Sequence, residues 1–462
     1  MANTIVHIQV LSRAGEDDVL LSWQRRTSSV DALYQWNGTG WTLLQSLLGT
    51  GLIYDSCTLQ GRVYWADGKN PIQVWKPDSD EICEVVDAPV VQYLVTYQGR
   101  IVGAGDARTE AEVLADSGIW PADSNRDRVV FCEPLDDTLW SPNNFIDANI
   151  GSGEVVSGLG INSINSATRG AQSQLVVFKP TAILVNDGTL NAAEQRLAVV
   201  SDALGCPGYH SITNTPFGLM FASRGTVCLM DTSGKEPNQV GFFISPEMKL
   251  VPAAMEKWHS AIFHENTFKM SISNANATKN NEEWWLDLKP QIFPQEQNWY
   301  GPHTGDFILQ YAIFNDVLVG AQMDTDDMWR LDVEGQYGSM TAPSTARTQV
   351  MTWPRFQAND LKRGMVDAFG FRGLTDVSSV LTFTEVMSLD QASSTMTTVF
   401  TTPVSFGIYD VSRPFRRVKY DGQLSITHQS NAKDLEIQSL YLRTKISRRQ
   451  SERLEGSSQA NS

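Results

Sequence analysis

The sequence predicts an all-β chain, a β-propeller of about seven blades followed by an antiparallel β-sandwich-like domain. Three observations lead there. Short apolar or alternating runs are separated by turns rich in Gly, Asn and Asp, as strands in hairpins are. A "strand, tight turn, strand, acidic turn" unit recurs at roughly 38 to 50 residues, close to the length of a four-stranded blade. No convincing long amphipathic helix interrupts the series. An irregular stack of β-sandwiches is the competing architecture.

Residues 1–18 read as an N-terminal strand and arm, with Ile5, His7 and Gln9 on one face and Val6, Ile8 and Val10 on the other. The propeller is expected over 19–340. Its first strand is Val19–Trp23, and the next hairpin turns at Asn37-Gly38-Thr39-Gly40. The clearest repeat is Gln60-Gly61-Arg62-Val63 echoed by Gln98-Gly99-Arg100-Ile101, 38 positions later. Weaker copies follow at Leu175–Val185, Gly218–Asp231, Ala261–Asp287 and Tyr311–Asp332. Between the second and third of these units, 128–163 reads as a long, shaped connection between blades. It carries Pro134, Trp140 and Phe145 and a Gly151-Ser152-Gly153 break. A polar stretch near 337–347 reads as a linker. The alternating runs of 341–446 then form the sandwich-like domain, and 447–462 is polar enough to read as a disordered tail.

With 462 residues the chain can bury a large core without disulfides or metals. It has 52 acidic against 36 basic residues, a formal charge of -16. That balance argues against wrapping nucleic acid, whose phosphates it would repel, and does not exclude a lumen through which nucleic acid slides without sticking. Residues 411–450 are an exception, with nine Lys/Arg and three acids. They read as a solvated face or as a docking surface for an acidic partner through Arg413, Arg416, Arg417 and Lys419. Five cysteines without CxxC spacing argue against zinc or a disulfide framework. The first residues show no basic start with a long apolar run, and no stretch suits a membrane span. A soluble protein made in the cytoplasm is therefore expected.

The search for chemistry finds little. Phosphate-binding and serine-hydrolase motifs are missing. The alternating oxygens of Asp123-Ser124-Asn125-Arg126-Asp127 open like a calcium loop, but Arg128 stands where a Gly should turn the chain. Glu282 and Glu283 beside Trp284-Trp285 are the one acid–aromatic set that could hold a sugar, with a core strand as the simpler reading. The expectation is a chain that is not an enzyme and has no cofactor and no bound metal.

Four stretches taken together resemble a known family: Gly99-Arg100-Ile101-Val102-Gly103-Ala104-Gly105-Asp106, Arg128-Val129-Val130-Phe131-Cys132-Glu133-Pro134, Trp140-Ser141-Pro142-Asn143-Asn144-Phe145-Ile146-Asp147 and Leu175-Val176-Val177-Phe178-Lys179. They look like the propeller proteins of short-tailed bacteriophages that form the tail nozzle, or tail tube, below the portal and adaptor. Such proteins are also described as packaged-DNA stabilisation proteins. The resemblance covers 93–185 well and the rest in outline. It implies a structural virion protein of the tail, made in the host cytoplasm, that forms a ring (commonly a homohexamer). It also implies portal, adaptor and other tail-protein partners, and double-stranded DNA passing through the lumen. Its motif is architectural and carries over no catalytic residue. A carbohydrate-binding or glycan-cleaving propeller and a cellular propeller scaffold are the alternatives.

Overall fold

A computed structural model describes residues 3–331 apart from 27–29, 48, 50–51, 110–111, 114–126, 149–151, 167–169, 187–189, 191–196, 235, 276, 290–292, 294–296 and 305–306, together with 338–340 and the strands between 347 and 446. Seven four-stranded antiparallel meanders make the propeller. The blades run from β1 (Thr4–Leu11) to β4 (Trp41–Ser46), β5 (Asp55–Leu59) to β8 (Glu81–Glu84), and β9 (Tyr93–Tyr97) to β12 (Asp136–Asp147). They continue from β13 (Gly158–Ser166) to β16 (Ala198–Ser201) and β17 (Thr213–Thr215) to β20 (Asn238–Gln239). The last two run from β21 (Ser260–His264) to β24 (Trp299–Thr304) and from β25 (Ile308–Phe314) to β28 (Gly338–Ser339). The first strands, β1, β5, β9, β13, β17, β21 and β25, touch one another in a closed circle and so surround the axis.

Side-chain alternation explains how blades stack. In β14 (Gly170–Phe178), Leu175 and Val177 pack with Val102, Val129 and Phe131 of blade three, while Val176 and Phe178 pack with Leu219, Phe221 and Met230 of blade five. A strand covered on both faces must be apolar at every position, hence the unbroken Leu-Val-Val-Phe run. The turns also follow from the residues. Gln60-Gly61 and Gln98-Gly99 both have positive φ at their two central positions, at 52° and 72° and at 50° and 70°. Two-residue hairpins that match the twist of their strands need this, and Gly supplies half of it without steric cost.

Two sequence expectations change. The N-terminal strand read within residues 1–18 is present, but it is not set apart from the propeller: it is the innermost strand of blade one, paired along β2 (Val19–Arg25) from Thr4 to Leu11. The propeller accordingly begins before residue 19, while its last strand ends at Ser339, beside the expected limit of 340; by contacts alone the chain divides into Met1–Leu331 and Asp332–Ser462. The stretch 128–163 is mostly not a connection. β11 (Arg128–Glu133) and β12 are the outer hairpin of blade three, and the link to β13 is only 148–157. Their register shifts twice, between Val130 and Cys132 and between Cys132 and Glu133. Such bulges let Pro142, which has no N–H to give, lie within the strand.

Among the described residues the ring closes without a shared strand. Gln310 of β25 accepts from the Ile8 N–H at 2.9 Å and donates to its carbonyl at 3.0 Å. Thr325 O accepts from Ile5 N, and Asp326 O from the Trp41 indole. These last two acceptors belong to the polar tip between β26 (Val317–Gln322) and β27 (Met328–Arg330).

The second unit, Asp332–Ser462, contains a five-stranded sheet in the order β29 (Arg347–Thr352), β35 (Asp421–Ser430), β32 (Val380–Leu389) and β33 (Ala392–Thr401), with β30 (Phe356–Gln357) also on β35, and a three-stranded sheet in the order β34 (Gly407–Lys419), β31 (Gly364–Thr375) and β36 (Glu436–Ile446). Their ladders are antiparallel, as a sandwich-like domain requires. The tail expected at 447–462 lies outside the described residues.

Candidate functional site

Trp140 is 4% exposed, packed between blades two and three with Tyr64, Leu94 and Ile101, and its indole donates to Asp137 O at 2.9 Å. Asp137 in turn accepts from the Tyr64 hydroxyl at 2.7 Å, so this corner bonds two blades together. Pro134 is exposed at the turn between β11 and β12. Phe145 is partly buried beneath the Arg128 guanidinium, 4.3 Å from the ring centre. Arg413, Arg416, Arg417 and Lys419 lie on β34 (Gly407–Lys419), an outer strand of the three-stranded sheet.

Sequence reading missed Lys179, the last residue of the Leu-Val-Val-Phe-Lys run. Its side chain is fully buried, with the ammonium 2.8 Å from Asp127 Oδ1 and 2.7 Å from Ser152 Oγ. Asp127 leads into β11 and Ser152 sits in the Gly-Ser-Gly break, so one cation ties two loops to blade four. Glu154 adds a second tie through the backbone N–H and hydroxyl of Thr181. A buried ammonium is tolerated only with such partners.

A group of buried titratable side chains lies at the axis. His7 of β1 stacks on His210, just before β17, with ring centroids 5.4 Å apart. Blades one and five are not neighbours, so the contact crosses the axis. Tyr209 packs against His210 at 3.9 Å and Tyr93 at 5.1 Å, and donates its hydroxyl to Tyr54 O. His259, at the entry to β21, stands beside Gly208, where a Cβ would meet its own Cβ at 3.2 Å. His7 Nδ1, His210 Nε2 and both ring nitrogens of His259 are buried without a hydrogen-bond partner.

Burial holds all three imidazoles in the neutral form. It lowers His210 to about 3 and His259 to about 4, and His7 falls well below its ordinary value through burial and then through His210. Asp55, at the start of β5, goes the other way. Burial raises it to about 7 against the opposing hydrogen bonds from Leu94 N and Ser56 N. His7 Nε2 is 2.7 Å from Ser56 Oγ, but this is no activated serine. Ser56 gives its proton to Gln9 Oε1 at 2.7 Å, so Nε2 is the donor, and Nδ1 has no carboxylate to orient it.

The acid–aromatic set on β23 (Glu282–Asp287) separates. Glu283 accepts from the Tyr311 hydroxyl of blade seven at 2.8 Å, whereas Glu282 shares its face with Trp284, which packs toward blade five. Adjacent residues of one strand point to opposite faces, so this pair cannot flank one glycosidic bond. No group of three or more metal-ligating residues occurs among the described residues, and 123–126 of the calcium-like stretch lie outside them.

No family model matches the chain, and no curated protein does. Solved structures do. An exo-β-1,3-galactanase from Phanerochaete chrysosporium is 11% identical with a TM-score of 0.29, covering 79% of this chain and 96% of that one. A glycoside hydrolase family 43 arabinoxylan arabinofuranohydrolase from Bacillus subtilis is 9% identical, TM-score 0.23, over 95% and 78%. The family 43 protein BlXynB from Bacillus licheniformis is 8% identical, TM-score 0.28, over 96% and 89%. The expectation of a chain that is not an enzyme finds no support among them, since the proteins these structures describe are glycoside hydrolases. At such identities and scores they carry no argument about a reaction of this chain.

Proposed function

We propose that the chain is a subunit of a phage tail nozzle, a ring below the portal and adaptor that retains packaged DNA and conducts it during ejection. One observation carries this reading. Three of the four stretches of the family resemblance lie in the inner and outer strands of blade three and the fourth ends the second strand of blade four, and Trp140 and Lys179 from them pack that corner. Trp140 and the Asp137–Tyr64 bond join blades two and three, and Lys179 draws in the loops that precede β11 and β13. The aromatic and imidazole rings that meet across the axis make a propeller's own hole a poor conduit. In this reading DNA passes between copies of the chain. Negative-stain images of purified protein and of particles test it. Rings with a central hole, or the chain seen in tails, are expected; a compact monomer that never enters a particle overturns it.

A glycan-cleaving propeller is the second reading, favoured by Asp55. Burial raises its carboxyl to about 7, with Tyr93 and Tyr209 beside it, so near neutral pH it can hold the proton that a general acid gives up. Reducing-sugar release from a glycan panel, lost in Asp55→Asn, is its expected result. No release from any glycan removes it.

A further inference from the structure

The three-stranded sheet of the second unit is polarised in charge along its strands. β34 and β36 (Glu436–Ile446) are both outer strands, and both run antiparallel to the central β31 (Gly364–Thr375). Val366 therefore pairs with Arg417 on one side and Thr444 on the other, Met365 with Val418 and Lys445, and Ala368 with Pro414 and Arg443. Segments 364–369, 413–419 and 442–446 thus share one end of the sheet. That end carries Arg413, Arg416, Arg417, Lys419, Arg443 and Lys445 against a single acid, Asp367. The other end carries Arg372 against Asp410 and Glu436. The linear sequence shows a basic stretch, but only the register gathers its two halves at one end.

The acidic counterpart is on the same chain. Met1–Leu331 holds 39 acidic and 21 basic residues, a balance of -18. Asp332–Ser462 holds 13 and 15, a balance of +2, which together give the chain's -16. We propose that the basic sheet end docks on the acidic propeller of a second copy, head to tail. Repulsion between two net-acidic chains is screened beyond about 8 Å at physiological salt, so the charges that touch decide the contact. Each added copy presents a fresh acidic propeller and a fresh basic end, and a head-to-tail contact of this kind closes into a ring when its rotation allows. The inference deepens the ring reading above and depends on its self-association, not on its phage setting.

Mass photometry of the full chain at about 50 mM and about 500 mM NaCl tests it. The parent is compared with Arg417→Gln/Arg443→Gln and with Lys419→Gln/Lys445→Gln at the strand ends, each checked for retained β structure by circular dichroism. Oligomers at low salt that dissociate at high salt, with association weakened about tenfold or more in both folded variants, are expected. Oligomers unmoved by salt and by both variants overturn the docking surface and leave the ring reading standing. A monomer under every condition, absent from particles, overturns both. Retarded migration of duplex DNA that is lost in the variants, with no self-association, assigns the surface to nucleic acid instead and overturns the proposal.

Discussion

The Lys179 clamp and the axial histidine group both bury ionisable side chains, and they treat charge in opposite ways. At the clamp the ammonium meets a carboxylate and a hydroxyl within hydrogen-bond distance. At the axis four imidazole nitrogens have no partner, and the rings are held neutral. A buried cation persists where the chain supplies acceptors; where it does not, the proton is given up instead. The clamp should therefore be sensitive to deletion of its side chain and the axis to pH.

The comparison breaks most readily at the clamp. Lys179→Ala removes a buried ion pair and leaves Asp127 and Ser152 without their donor, so a loss of about 3–5 kcal/mol is expected in urea unfolding. Wild-type stability in that variant would mean that the clamp is replaceable. Trp140→Ala, one blade away and with no charge involved, should cost a comparable ~3–5 kcal/mol through the cavity alone. Its unfolding midpoint serves as the uncharged control.

The axis is probed by acid. His7, His210 and His259 have folded-state values below the unfolded value near 6.5, so the stability they contribute is complete above that pH. It is lost as pH falls toward 4 and 3. Asp55, raised to about 7, contributes in the opposite sense. Its share is full below its unfolded value and is lost as pH rises through 7, so acidification partly restores it. Three histidines outweigh one carboxyl, and stability should fall by on the order of 3 kcal/mol between pH 7 and 4.5. His210→Asn should flatten that slope in chemical denaturation followed at several pH values; an unchanged slope would remove His210 from the explanation. The smallest effect is expected at Arg128→Ala. Its partner Asp147 is half exposed and the Phe145 contact lies near the surface, so under about 1 kcal/mol should be lost, less at high salt.

Much of the propeller was legible because local chemistry dictates it. The Gln-Gly turns need positive φ, and strands covered on both faces must be apolar, so 60–68, 98–106 and 175–178 announce themselves. Trp140 was legible as a large aromatic beside a proline. The outer hairpin of blade three was misread as a connection because its bulges break the alternation that marks a strand, and the first strand, though legible as a strand, was set outside the propeller because its partner lies beyond a loop. Nothing local marks the axial group. His7 and His210 lie far apart in sequence and come together only because every blade's first strand converges on the axis. Nor does a lysine at a strand end carry any sign of burial, since the acceptors that permit it lie at Asp127 and Ser152.

The closure at Gln310 has an evolutionary consequence. Each blade is one continuous run of the chain, and the seam between blades seven and one is bonded by a side chain on a backbone and by a hairpin tip, with no strand exchanged between those two blades among the described residues. A gene for such a ring can gain, lose or exchange a whole blade by in-frame recombination without any strand having to find a new partner. Selection on blade number then acts chiefly on the fit of that one seam.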